Sequence, residues 1–76
     1  MEIRFTLHSR MRMKQRGINE SEVIQVLAKS DSVESGKEGT LIATKNLEGK
    51  ELCIVYLPKI EYNSVITVYK RRKKRR

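Results

Sequence analysis

The sequence predicts an α+β domain in which two short amino-terminal helices pack on a three- to four-stranded antiparallel sheet. Three observations predict it. Gly17 separates two stretches with helical spacing, the apolar period changes from helical to alternating after Asp31, and GKEG at 36–39 and EGK at 48–50 cut the alternating part into hairpin-length pieces. A chain of 76 residues has room for one core, burying roughly 60% of the surface its unfolded form exposes. Any site on so small a body is shallow.

In chain order, residues 2–6 set Ile3 and Phe5 between polar neighbours, which suits a short strand or an extended lead-in. Helix one begins near Thr6 or Leu7 and stops at Gly17, where a residue without a side chain most easily turns left-handed, with Arg16 complementing the carbonyl end of the helix. Asn19 caps helix two, Glu22 completes a capping box, and Ile18 staples onto Val23. Val23, Val26 and Leu27 form its apolar stripe, Ile24 broadens it, and the helix fades by Lys29 or Ser30. A short strand begins at Val33, and residues 40–47 place Leu41, Ala43 and Leu47 on one side with Lys45 interrupting. Residues 52–57 are apolar on both sides, Leu52, Ile54 and Tyr56 against Cys53, Val55 and Leu57, and so belong in the middle of the sheet until Pro58 ends the strand. The last strand, 64–69, alternates Val65, Thr67 and Tyr69 against Ile66 and Val68.

The net charge of +8 is unevenly placed. The last seven residues, Lys70, Arg71, Arg72, Lys73, Lys74, Arg75 and Arg76, are all basic, and residues 1–69 carry 10 basic against 9 acidic side chains. The expected organisation is therefore one compact domain over 1–69 and a disordered basic tail over 70–76, since seven adjacent like charges repel and fold only against a polyanion.

One cysteine, Cys53, excludes an internal disulfide framework and suits a small buried role in a reducing, cytoplasmic setting. No long apolar run follows the amino-terminal charges, so neither a signal peptide nor a membrane span is expected. No cofactor or metal site is implied.

The remaining chemistry gathers in HSRMRMKQRGI, residues 8–18, which holds the one histidine and no acid. At about 100° per residue, His8, Arg12 and Arg16 share one helix face, while Arg10 and Lys14 point elsewhere. Such a face needs acids from its own fold or phosphates from a partner.

HSRMRMKQRGI, then NESEVIQVL, a meander and a closing SVITVY, resembles the domain-of-unknown-function family 4258, whose members read H-A-x-x-R-M-x-x-R-G-I before a short acidic-capped helix. His8 takes the family histidine, Arg12 and Met13 the R-M pair, and Arg16, Gly17 and Ile18 the R-G-I; Ser9 departs from the usual alanine and adds a hydroxyl beside the histidine. The resemblance implies a fold similar to RelE-like and BrnT-like ribonuclease toxins, barnase and colicin-type nucleases. It implies an RNA-facing site on the sheet or at its junction with the helices, while the basic surfaces of the chain themselves also suit an acidic protein partner such as a cognate antitoxin.

Metal-independent RNA cleavage needs a base for the 2′-hydroxyl, an acid for the leaving oxygen, and cations for the phosphorane. His8 suits the acid or base role, Arg12 and Arg16 suit phosphate oxygens, and Tyr69 could stack a base or donate a proton if it lies near helix one. Glu51 and Glu61 have no evident part. The structural alternatives are that His8 bridges helix to sheet, that Arg12 pairs with an acid of the fold, that Arg16 only ends its helix, and that Tyr69 packs in its strand. Phosphate binding needs cations alone, so the sequence favours a nucleic-acid-binding module, RNA before DNA, using Arg10, Arg12, Lys14, Arg16 and the tail. A toxin-like ribonuclease comes second and a domain for an acidic protein third.

Overall fold

The structure, a computed structural model, describes residues 2–72. Its elements are β1 (Glu2–Phe5), α1 (Leu7–Arg16), α2 (Glu20–Ala28), β2 (Ser32–Ser35), a 3-10 turn at Lys37–Gly39, β3 (Leu41–Leu47), β4 (Lys50–Pro58) and β5 (Tyr62–Arg72). The five strands form one sheet in the order β1-β5-β4-β3-β2. β2 to β5 make the expected antiparallel meander with β4 in its centre, but β1 joins as a fifth strand, parallel to β5, with Phe5 opposite Val65. The sheet is therefore mixed, not the three to four antiparallel strands expected. A parallel partner is joined through a long crossover, and no local turn signal announces it.

Thr6 ends this parallel pairing and starts α1. Its backbone N–H and its hydroxyl both donate to the Val65 carbonyl, at 3.2 and 3.1 Å, and the same hydroxyl oxygen accepts from the Ser9 N–H at 3.1 Å. Gly17 stops α1 at φ +64°, where the Ile18 N–H returns to the Met13 carbonyl at 2.9 Å. The capping box of α2 is complete: Glu22 N–H donates to Asn19 Oδ1 at 2.8 Å and Asn19 N–H to Glu22 Oε1 at 3.0 Å.

Both helices lie on one face of the sheet. The core between them comprises Met13, Ile18, Val23, Val26, Ala43, Leu52, Ile54, Val65 and Val68, with Ile3, Phe5, Leu27 and Tyr56 around it. Ile24 does not join this core: it is 46% exposed, on the outer side of α2. The alternation read in the last strand also fails. Tyr56 faces Val65 and Val55 faces Thr67, so a bulge takes up Ile66, and Val65 and Val68 both turn to the helices. An extra residue on one strand reverses the parity of everything after it.

β5 corrects the expected tail boundary as well. Lys70 pairs with Leu52, Arg71 with Glu51 and Arg72 with Lys50, so these three residues are strand rather than tail. Alternation sends their charges to opposite faces, and Glu51 Oε1 accepts from Arg71 Nε at 2.7 Å, which relieves the repulsion that a run of cations suggests. Lys73, Lys74, Arg75 and Arg76 lie outside the described residues.

Candidate nucleic-acid interface

α1 buries Ser9 and Met13, which turns His8, Arg12 and Arg16 along one flank of the helix beside the edge of β5. β1 ends opposite Val65, so the carbonyls of β5 beyond it have no strand partner on that side. The helix supplies substitutes: Thr6 Oγ1 reaches the Val65 and Ile66 carbonyls, and Arg16 Nη1 donates to the Val68 carbonyl at 3.0 Å. Arg16 is thus both the end of its helix and a clamp on the sheet.

Arg12 is half-buried and His8 exposed. Arg12 Nη1 donates to Gln15 Oε1 at 2.9 Å, and Arg12 Nε lies 3.4 Å from His8 Nε2. In that long contact the guanidinium donates and the ring nitrogen accepts. Among the described residues no acid forms an ion pair with His8, Arg12 or Arg16, and the ion pair considered for Arg12 is not formed there. Ser9 does not add a hydroxyl to this face. It is fully buried, and its hydroxyl donates to the Thr6 carbonyl at 2.7 Å.

The other sequence-selected cations divide. Arg10 Nη1 binds Glu20 Oε2 at 2.6 Å, and its guanidinium stands 5.0 Å from the centre of the Phe5 ring, so it joins α1 to α2 and β1. Lys14 is exposed and makes no ion pair among the described residues. Arg71 is held by Glu51. Lys70 and Arg72 share the parity of Val68 and therefore lie on the helix-bearing face, past the end of α1.

Tyr69 does not join the candidate catalytic group. Its partner across β4 is Cys53, whose partner across β3 is Thr44, and these three share the face away from the helices. Thr44 Oγ1 and Cys53 Sγ are 3.7 Å apart and both residues are buried. Partial burial pushes the Tyr69 phenol above its ordinary value, and the neighbouring Cys53 adds to the rise. The four residues considered for cleavage are thus three on one flank and one beyond the sheet.

Two cations that the sequence did not single out belong on the helix-bearing face: Lys45 and Lys50. The available signal was parity, since Lys45 falls on the same side of its strand as Ala43 and Leu47, and Lys50 on the same side as Leu52. Among the described residues no three His, Cys, Asp or Glu side chains gather as metal ligands would, and no helix is long and apolar enough to cross a membrane.

Comparison with known proteins adds the family. No curated protein and no solved structure matches the chain. The profile of the family described as Domain of unknown function (DUF4258) matches residues 5–70, a span that runs from the end of β1 through α1 and the meander into β5. The chain therefore belongs to the DUF4258 family.

Proposed function

We propose that the protein binds nucleic acid, RNA in the first place, by contacting phosphates through the α1 flank and the basic end of β5. One observation carries this reading: Arg12 and Arg16 have no acid partner among the described residues, and the Arg16 contact with Val68 brings their flank beside Lys70 and Arg72. A guanidinium with donors left over is suited to phosphate oxygens. Arg10, Arg71 and Arg4 are bound to Glu20, Glu51 and Glu2, and contribute less.

The test is retardation of a mixed RNA pool by the full chain, with Arg12→Ala beside it. Binding that weakens several-fold in Arg12→Ala, and falls steeply as salt rises, supports the reading. A parent that leaves RNA free but binds an acidic polypeptide replaces it with the acidic-protein reading, in which the basic surfaces meet an acidic partner such as an antitoxin.

The Arg12–His8 contact favours a second reading, a toxin-like ribonuclease in which His8 takes the 2′-hydroxyl proton as that oxygen bonds to phosphorus, Arg12 and Arg16 hold the charged phosphorane, and the 5′ oxygen leaves with a proton from solvent water. Incubation with the same pool in the absence of added metal tests it. Cleavage by the parent and its loss in His8→Ala are expected; an intact pool with the parent rejects it. Tyr69 is left out of this mechanism because of its face.

A further inference from the structure

The end of the helix-bearing face that α1 and α2 leave open carries cations from three strands. Lys50 faces Arg72 across β4 and β5, Lys70 faces Leu52, and Leu52 faces Lys45 on β3. Neighbouring strands lie about 4.8 Å apart and same-face neighbours on a strand about 7 Å apart, so Lys50, Lys70 and Arg72 form one close group. Arg16 closes it on the side of α1, since Val68 stands two residues before Lys70 on the same face. Lys45 borders it on the far side, with its ammonium donating to the Lys29 carbonyl at 3.3 Å.

Between these charges the surface is a groove lined by Leu47, Glu48, Lys50, Glu51, Leu52 and Lys70. Glu51 is occupied by Arg71, and Leu47 is 40% exposed. The groove therefore sets the apolar Leu47 and Leu52 beside the Lys50 and Lys70 ammoniums, with Glu48 as one lining acid that forms no ion pair among the described residues. An unpaired base with its flanking phosphates offers an apolar plane between two charges and matches that pattern, whereas a duplex keeps its bases inside and presents phosphate alone.

Resting on the reading that the protein binds RNA, we infer that a single-stranded segment crosses the strands here. Its phosphates lie on Arg16, Lys70, Arg72 and Lys50 and a base lies over Leu47, so the path runs from the flank of α1 toward the β3–β4 hairpin. The proposal separates residues that sit together in the sequence: Lys70 and Arg72 belong to the path, and Arg71, on the other face, does not.

The test measures fluorescence anisotropy of a labelled single-stranded RNA with the full chain over a series of salt concentrations. Lys50→Ala/Lys70→Ala is expected to bind at least tenfold more weakly. Its dependence of log affinity on log salt should be shallower by about 1.4, at roughly 0.7 for each single-strand phosphate that the variant no longer neutralises. Lys50→Arg/Lys70→Arg should retain binding, Arg71→Ala should stay within twofold of the parent, and the same sequence as a duplex should bind at least tenfold more weakly. Circular dichroism establishes that each variant is folded. Parent-like affinity in the double alanine variant, an equal loss in Arg71→Ala, or equal binding of the duplex overturns the path. If Arg12→Ala weakens binding and Lys50→Ala/Lys70→Ala does not, RNA binding stands and the path alone falls. A parent that binds no RNA overturns both.

Discussion

Arg16 at the end of α1 donates to the carbonyl of Val68 in β5 at 3.0 Å, across 52 positions of sequence. The bond fills a place on the strand edge that β1 is too short to reach, and it makes one residue serve both the docking of the helix and the charge of the candidate interface.

Arg16→Ala should lower stability by about 1 kcal/mol, below the usual range for a bond to a charged donor because Arg16 is exposed. That corresponds to a fall in Tm of roughly 4–8 °C for a domain of this size. Thermal unfolding followed by circular dichroism measures it. An unchanged Tm would mean that water replaces the guanidinium on Val68 without cost.

The bulge at Ile66 predicts unequal costs at neighbouring positions. Val68 is fully buried under the helices, and Val68→Ala should cost about 2–3 kcal/mol. Thr67 is half-buried on the other face, and Thr67→Ala should cost less than about 1 kcal/mol. Urea unfolding of both variants reads the difference as a shift in midpoint.

At the junction of the helices, Asn19→Ala removes the acceptor of the Glu22 N–H and should cost about 1 kcal/mol. Gly17→Ala should cost a similar amount for a different reason. A methyl group at position 17 meets no atom within 4 Å, so the loss is the strain of an L-residue at φ +64° alone. The two losses should nearly add in the double variant if the caps act independently, which urea midpoints test.

Tyr69 should give stability a dependence on alkaline pH. Burial first, and Cys53 second, raise its phenol above the ordinary value of 10.0. The folded chain then keeps a proton that the unfolded chain has lost, so the contribution is whole below pH 10 and disappears as pH rises through the raised value. Absorbance at 295 nm should show one tyrosine titrating above 10 in the native protein, and Tyr69→Phe should remove that step and flatten the alkaline loss of stability. A native titration with no step above 10 contradicts the assignment.

Local signals were legible wherever the residues that fix a feature are close in sequence. Gly17, the Asn19–Glu22 box, the turn at 36–39 and the two-sided apolar run of β4 all act within a few residues, and each is found where its chemistry places it. Features that depend on distant partners were not legible. Ile24 reads as core by spacing, yet it stands 46% exposed on the side of α2 away from the core. Residues 70–72 read as tail by charge, yet Leu52, Glu51 and Lys50 supply a strand for them to pair with.

The candidate site divides in the same way. The sequence by itself determined the two helices, the meander, the DUF4258 resemblance and the shared helix face of His8, Arg12 and Arg16, because helix periodicity places residues on faces without reference to the rest of the chain. Tertiary structure decided which charges are neutralised within the fold and which stand free. Glu20 holds Arg10 and Glu51 holds Arg71, while the bulge at Ile66 sets which residues of β5 face the helices. It also placed Tyr69 behind the sheet and Lys50 beside Lys70, since strand register, unlike helix spacing, is set by a partner many residues away.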